Sequence, residues 1–586
     1  MSVSTRKAIR YDYLRRQLTI FSRHAAEHSS DDPIETIGCI LIDVIQQRYA
    51  HLARLISLPN KRSARRIPGY SRLLALLLEL DSLEAAYWIS SLYALLLPAG
   101  RRTRFGMYFT PPDVSAVTLA EVVRAYRGDV ANARILDPCS GGGAFLAPLV
   151  RLASSALAKS ELESLRRINC VAQNLHGFDI DDDLIRLSRV FMLIELHNAN
   201  KLTGDVPFLN VGVRDSLLEP PPFESFDIVV GNPPFRKLTA EEKHLYREGF
   251  SDSANGGSNL YGMFITQSVR FVRPGGLVCL IIPGSLFAGR YFQRLRSQIG
   301  KDCDVVSVHM MEKRAGTFSH VQQETAILTL KRRESQRRLG RPAKTRMYSL
   351  DDSCNRTLLG KIKLPHSGAP WITPKTLEQA PLAQVFDKGL PTLTDYGYEI
   401  KTGSVVWNRD TRARFSVPKS PNSRSRTVPL IWSEAVSLCG KFDFHRAKDR
   451  AGGELYIRVR NDSEELINGP AVAVKRTNNS SQDRRLYTAP IPGNFAHRHD
   501  GYVAENHVYL IVPSGSDTQV GVSMLSRILN TRAIDQMYRC LAGTSAVSKY
   551  ELELLPLPDS NDFSSAIAGG MTVEQAVAKG YGMRPV

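Results

Sequence analysis

Asn232-Pro233-Pro234-Phe235 ends an apolar run, Phe226-Asp227-Ile228-Val229-Val230-Gly231, that reads as a buried strand. Two successive prolines fix two φ angles and remove two backbone donors. Carbonyls at that point can therefore face a ligand without competing N–H groups. The Asn232 amide oxygen and the Pro233 carbonyl can both accept hydrogen bonds from an amine, and Phe235 can stack on a base. An Asn-Pro-Pro-aromatic run can arise by chance, but its place directly after a buried strand makes chance a poor account.

Three earlier segments bear on the same chemistry. Asp137-Pro138-Cys139-Ser140-Gly141-Gly142-Gly143-Ala144-Phe145 follows a short strand and opens a helix. Glycines there let the backbone turn tightly and approach a ligand closely. The spacing is not the GxGxxG of a dinucleotide fold, and Asp137 at the strand tip suits a positively charged ligand amine. His176-Gly177-Phe178-Asp179-Ile180-Asp181 closes a second strand with acid, the place where doubly wound folds grip a ribose diol. For that piece alone a solvated acidic turn is an equal alternative. In Arg214-Asp215-Ser216-Leu217-Leu218, Asp215 can accept a hydrogen bond from an adenine amino group, though alone it carries little weight.

The elements that must position these groups alternate between strand and helix from about 101 to 332. Strands are expected at Ala133–Asp137, Val171–Ile180, Phe226–Asn232, Gly276–Pro283 and Thr325–Leu330. Helices are expected at Phe145–Ala158, Asp183–Asn198 and Leu260–Phe271. Such alternation predicts a doubly wound α/β sheet. Residues 1–100 read as helices, Ile37–Leu58 and Leu73–Leu97, separated by Pro59 and the basic run Lys61 to Arg66. After a basic linker, Lys331-Arg332-Arg333 and Arg337-Arg338, residues 333–586 carry short strands such as Leu455–Val459, Ala471–Lys475 and Val508–Val512. Helices follow near Val522–Leu541 and Val573–Lys579.

Taken in order, these segments resemble the γ-class amino-methyltransferases of restriction–modification systems, which use S-adenosylmethionine (AdoMet). Asp137 to Phe145 is similar to the family's first motif, and Asn232 to Phe235 to its catalytic tetrad. Gly106-Met107-Tyr108-Phe109-Thr110-Pro111-Pro112 is similar to its leading Thr-Pro motif, and that element standing before the Gly-rich one defines the γ order. The match is good over 101–332. It is looser beyond, through Glu505-Asn506-His507-Val508-Tyr509 and Leu554-Leu555-Pro556-Leu557-Pro558.

The resemblance implies a fold and a set of roles. The fold is an AdoMet-dependent methyltransferase sheet with a helical N-terminal region (1–100), a catalytic domain (101–332) and a mixed α+β target-recognition domain (333–586). Thr110 lies near the AdoMet carboxylate and Asp137 near its ammonium. Gly141 and Gly143 permit close approach, Asp179 grips the ribose, and Asp215 binds the adenine amine of the cofactor. Pro138, Phe145 and Ile180 complete the cofactor set. Asn232, Pro233, Pro234 and Phe235 hold a flipped target base, with Phe318 as a second stacking ring. Two departures stand out. The first motif here is Cys-Ser-Gly-Gly-Gly where the family has Ala-Cys-Gly-Ser-Gly. Ser216 replaces a bulky residue, which leaves the apolar cover on the cofactor adenine unassigned.

A tetrad that begins with Asn points to adenine N6 rather than cytosine N4, which the family marks with Ser. The implied activity is site-specific methylation of double-stranded DNA, as the modification component beside a separately encoded restriction endonuclease. A protein-glutamine or RNA N-methyltransferase can also carry Asn-Pro-Pro-aromatic, but those enzymes lack the Thr-Pro element and a large basic C-terminal domain. A non-enzymatic DNA-binding protein leaves the tetrad and the Gly-rich turn unexplained together.

Composition agrees with a polyanionic partner. The 586 residues carry a formal net charge of +18, with 43% hydrophobic and 23% charged residues, so a globular chain is expected and a disordered one excluded. Each Lys or Arg contact to phosphate releases counterions. Lys475, Arg476, Arg484 and Arg485, around the polar loop Thr477 to Gln482, are the expected DNA contacts. The eight cysteines form no CxxC pair, so no metal site is expected, and reduced thiols suit a cytoplasmic protein. The N-terminus has no apolar signal region, and the longest apolar runs are too short to span a bilayer.

Overall fold

A computed structural model describes residues 3–28, 32–154, 169–170, 172–200, 209–246, 250, 259–311, 324–334, 343–449, 452–477, 483–542 and 546–583. Phe318, Arg337, Arg338, the loop 478–482 and the expected helical residues 155–158 lie outside them. Contacts divide the chain into two compact units. One comprises 1–286 with 291–369; the other comprises 287–290 with 370–586.

The first unit is built on nine strands: β1 Ile135–Asp137, β2 Leu175–Asp179, β3 Asn210–Val213, β4 Phe226–Gly231, β5 Val272–Pro283, β6 Cys303–Met311, β7 Thr325–Arg332, β8 Lys344–Leu350 and β9 Arg356–Lys363. Their order is β3-β2-β1-β4-β5-β7-β6-β8-β9. The first five are parallel, with Ile135 beside both Leu175 and Ile228. β7 is antiparallel to β5 and β6. The strand order reverses between β1 and β4, which is the point where open α/β sheets bind ligands outside their carboxyl ends. Ile135, Leu136, Ile228, Val229 and Val230 are fully buried, as central parallel strands covered on both faces must be.

Tertiary contacts move several boundaries from those expected. The helix expected over Ile37–Leu58 is Pro33–Arg48, followed by a 3-10 turn at Leu52–Arg54. The Pro59 carbonyl packs directly on Gly38, where only a residue without Cβ fits. In a continuous helix those two residues would stand about 30 Å apart. The helix expected over Leu73–Leu97 is two, Tyr70–Leu78 and Ser82–Leu96, because the Asp81 carboxylate caps the N–H groups of Leu83 (2.9 Å) and Glu84 (3.4 Å). β2 begins at Leu175, and residues 172–174 before it are helical. Lys331-Arg332-Arg333 is not a linker. β7 runs through Arg332, and the Arg333 guanidinium donates to Asp304 (3.0 Å) and to the carbonyls of Gly300 (2.8 Å) and Lys301 (2.6 Å). β8 and β9 then extend the same sheet. β9, with Arg356, Lys361 and Lys363, forms its edge.

The N-terminal helices share one apolar core with two helices that flank the sheet, Leu146–Ser154 and Asp182–Asn200. Leu14, Phe21, Ile37, Leu77 and Leu92 belong to the same cluster as Ala147, Leu187, Phe191 and Ile194. Arg151 reinforces the join, donating to Asp81 (2.8 Å), Ser82 (2.7 Å) and Glu195 (2.7 Å).

The second unit is mixed α+β. Its strands are β10 Tyr398–Thr402, β11 Arg414–Phe415, β12 Ser425–Ile431, β13 Tyr456–Arg460, β14 Ala471–Lys475, β15 Thr488–Ile491, β16 Val503–Ala504 and β17 Val508–Pro513. They form two four-stranded sheets, β10-β17-β14-β15 and β11-β13-β12-β16. The helix expected over Val522–Leu541 is two, Val522–Leu529 and Arg532–Leu541, because the Thr531 hydroxyl caps the N–H of Ile534 (3.3 Å). Among the described residues no helix is long and apolar enough to cross a membrane.

Leu187 is fully buried in the core shared by the N-terminal helices and the sheet layer. Leu187→Ala should lower the unfolding free energy by about 2–5 kcal/mol, the usual cost of such a cavity. Urea denaturation followed by circular dichroism reads this. An unchanged midpoint would mean that the N-terminal helices do not stabilise the sheet unit.

Candidate active site

Strands β1 to β4 all end on one edge of the sheet, and a cleft of about 940 Å³, including its open mouth, lies there. Thr110, Asp137, Pro138, Gly141, Phe145, Asp179, Ile180, Asp215, Asn232 and Pro234 all line it.

The turn after β1 needs its glycines. Gly141 and Gly143 have φ of +49° and +78°, the left-handed region. The Gly141 N–H donates to Asp179 Oδ2 (2.9 Å), and the Ser140 N–H to the Phe178 carbonyl (2.9 Å), so the turn after β1 is tied to the end of β2. Gly143 does not reach the cleft. It faces helix Asp182–Asn200, where a Cβ would stand 2.7 Å from Ser188 Oγ. Its sequence signal therefore reflects packing of turn on helix.

Asp137 is almost fully buried, and its Oδ1 accepts from the Cys139 N–H (3.2 Å). No cationic side chain pairs with it among the described residues. Burial, followed by repulsion from Asp179, pushes its carboxyl up to about 8 against the partial relief of the Cys139 N–H. Burial also pushes Asp179 up to about 6, although it accepts from the N–H groups of Gly141 and Asp181. A buried and a half-buried acid thus stand at neighbouring strand ends, and no cationic side chain pairs with either carboxylate among the described residues.

Asn232 follows β4. Its amide nitrogen donates to Thr110 Oγ1 (3.1 Å) and the Tyr108 carbonyl (3.4 Å), which joins the Thr-Pro segment to the tetrad. Its amide oxygen is buried and accepts no hydrogen bond among the described residues. A buried acceptor left unpaired costs about 1–3 kcal/mol, so this atom is poised for a donor. Pro233 is buried, and Phe235 is half-buried, edge-on to Tyr261 at 6.3 Å and 83°. Tyr261 in turn donates to or accepts from Ser285 Oγ at 2.9 Å.

Asp215 lines the cleft with its carboxylate already engaged. Oδ1 accepts from the N–H groups of Leu217 (2.9 Å) and Leu218 (3.2 Å), and Oδ2 from the Tyr246 hydroxyl (2.9 Å). Ser216 donates to the Pro138 carbonyl (2.8 Å), fastening the end of β3 to the turn after β1. Leu217, Tyr246, Leu260 and Phe264 form one apolar cluster that lines the cleft. Only Leu217 adjoins a motif, and nothing in the spacing of the other three marks them. Ile180, 49% exposed, offers a further apolar surface beside Asp179.

The four expected basic contacts belong to the second unit, and none lines the cleft. Lys475 ends β14. Arg476 donates to the Asn506 carbonyl (2.9 Å) and sits 5.5 Å from the Tyr509 ring centre. Arg484 binds the carbonyls of Asn530 and, at 3.2 Å, Thr531, so its donors serve the junction of two helices. The Arg485 N–H donates to Asp535 (2.6 Å).

Comparison with known proteins places this geometry. Residues 91–357 match a protein-family model described as N-6 DNA Methylase. Over 465 residues the chain is 24% identical to the Type II methyltransferase M.PstI of Providencia stuartii, covering 78% of this chain and 87% of the relative. It is also 24% identical over 479 residues to the Type II methyltransferase M.BsuBI of Bacillus subtilis, covering 78% and 88%. Among solved structures, the Type IIL restriction-modification enzyme MmeI in complex with DNA aligns over 97% of this chain and 90% of that one. The TM-score is 0.50 at 12% identity, a likeness of fold.

The buried Asp137 makes a testable demand. Its carboxyl ionises at about 8 in the fold against 3.8 ordinarily, so its burial costs nothing below the ordinary value. The stability it permits at low pH is lost as pH rises from about 4 to about 8. Asp137→Asn cannot ionise. The stability of that variant relative to the wild type should therefore rise through this window and level off above it. Denaturation midpoints at several pH values in the absence of ligand measure the difference. A difference that does not vary with pH would mean that Asp137 is already charged in the fold.

Proposed function

From the match of residues 91–357 to the N-6 DNA Methylase model and the geometry of the cleft, we propose that this chain transfers the methyl group of AdoMet to the exocyclic N6 amine of adenine in double-stranded DNA. It acts as the modification component of a restriction–modification system. The observation that carries this reading is the unpaired, buried Asn232 amide oxygen at the edge of a cleft whose buried acid, Asp137, has no cationic partner among the described residues.

The cleft residues fit AdoMet. Asp137 and its missing cation suit the methionine ammonium, and Thr110, whose Oγ accepts from Asn232, keeps its own proton free for the carboxylate. Asp179 and Ile180 face the ribose and its base, with the Tyr246 and Leu217 wall beside Asp215 for the adenine end. Gly141 carries no side chain that would fill the cleft. Bound there, AdoMet supplies an electrophilic methyl group on a sulfonium.

The chain must then make a poor nucleophile reactive. The lone pair of an exocyclic amine is conjugated with its ring, and a base inside a duplex cannot reach the cleft, so the adenine is extruded. Phe235 stacks on it. Asn232 Oδ1 and the Pro233 carbonyl accept the two N6 hydrogens, which draws the nitrogen toward tetrahedral geometry and aims its lone pair. Positioning and these fixed acceptors supply most of the acceleration. Adenine rather than cytosine is the target because the tetrad begins with Asn. Catalysis belongs to the unit that bears the sheet, and target recognition to residues 370–586. There Lys475, Arg476, Arg484 and Arg485 are the expected DNA contacts, of which Arg484 also serves the helix junction and Arg476 the Asn506 carbonyl. The expected companion is a separately encoded endonuclease.

Transfer of labelled methyl to DNA, followed by nucleoside analysis, tests the reading. The product should be N6-methyladenine without N4-methylcytosine. Asn232→Ala should lower kcat by about 100-fold or more, as loss of one preorganised transition-state hydrogen bond does. Phe235→Ala should forfeit a stacking contact worth about 1–3 kcal/mol, while Phe235→Trp keeps part of the activity. Label in RNA or protein instead of DNA, or full activity in Asn232→Ala, would overturn the assignment.

A further inference from the structure

The first hundred residues carry none of the motifs, yet one of their side chains reaches the cofactor cleft through two intermediaries. Tyr93, on helix Ser82–Leu96, is fully buried. Its hydroxyl lies 3.1 and 3.3 Å from the two Asp181 oxygens and 3.1 Å from Asp183 Oδ2. Asp181 is itself 5% exposed. Its Oδ1 accepts from the N–H groups of Asp183 and Leu184, both at 3.1 Å, so it caps helix Asp182–Asn200. The Asp181 N–H donates to Asp179 Oδ1 (3.1 Å), while Asp179 Oδ2 takes the Gly141 N–H. Tyr93, Asp181, Asp179 and Gly141 thus form one continuous chain of hydrogen bonds from the N-terminal helices to the glycine turn.

The chemistry gives the tyrosine work beyond packing. Asp181 and Asp183 are like charges on adjacent turns of backbone, and the Asp183 carboxyl is pushed up by burial and then by Asp181. One neutral donor shared among three carboxylate oxygens holds them together without neutralising either. Arg101, half-exposed, adds a weaker contact to Asp181 Oδ2 at 3.4 Å. The same helix closes on the turn from the other side, where the Ser90 hydroxyl fills the space a side chain on Gly142 would need.

We propose that Tyr93 is a positioning residue for the cofactor: through Asp181 it fixes the carboxylate of Asp179 in the orientation that binds the ribose of AdoMet. The N-terminal helical region is on this account part of the cofactor site. The inference rests on the AdoMet reading of the cleft.

Calorimetric titration of AdoMet into the full-length wild type, Tyr93→Phe, Asp181→Asn and the double variant separates the two claims. Tyr93→Phe is isosteric, and Asp181→Asn keeps an oxygen for the helix cap, so both should fold. Each should weaken AdoMet binding about 3–10-fold, the scale of one hydrogen bond. The double variant should bind no more weakly than the weaker single one, because both act through one link. In methyl transfer the loss should appear in the KM for AdoMet rather than in kcat. A wild type that fails to bind AdoMet sinks the reading of the cleft itself. A wild type that binds, with unchanged affinity in both single variants, with losses that multiply in the double variant, or with a loss confined to kcat, sinks the role of Tyr93 alone.

Discussion

The neighbouring strands β1 and β4 end so close together that only glycine fits between them. A Cβ on Gly231 would stand 2.9 Å from Asp137 Oδ1. This crowding puts the acid that closes one strand and the amide that follows the other on a common rim. Cleft, carboxylates and tetrad are all arranged around it. The β1 turn can pass beneath Asp179 only because Gly141 takes a left-handed conformation, and the Ser216 hydroxyl then anchors the end of β3 to the Pro138 carbonyl. Four strand ends are thereby fastened edgewise into one surface.

The electrostatics follow from the same packing. A carboxyl buried at the end of a parallel strand resists ionising, and both Asp137 and Asp179 do so. Such acids weaken the fold at neutral pH and are tolerated where a ligand repays the loss. The Asn232 oxygen is the uncharged version of the same arrangement, a buried acceptor without a donor. Across one rim, then, the chain leaves Asp137 and the Asn232 lone pairs without partners among the described residues, while of the arginines that line the cleft Arg236 is held by Glu242 and Arg214 lies over the Phe178 ring.

Much of this rim was legible in the sequence because each motif directly follows a buried strand. An apolar run that ends in Asp, Asp or Asn can be placed at a strand tip without knowledge of the rest. The residues that escaped notice reach the cleft from a distance. Tyr246, Leu260 and Phe264 come from beyond the tetrad and meet Leu217 only through folding. Tyr93 sits mid-helix among apolar neighbours, where a tyrosine reads as core. The helix breaks at Asp81 and Thr531 were missed because a capping residue inside a long apolar pattern looks like one more polar position. The end of β7 reads as a basic linker in the sequence, since charged residues at the end of a strand and in a loop have the same composition.

The edge strand β9 has a consequence of its own. The edge of an open sheet is a template on which another strand can add, and among the described residues β9 is such an edge. β9 presents Arg356, Lys361 and Lys363 along that edge, and Gly360 interrupts its pleat with φ of +147°. A strand from another copy that tried to add there would bring its own cations against these. Charge along this margin disfavours edge-to-edge pairing of copies at β9.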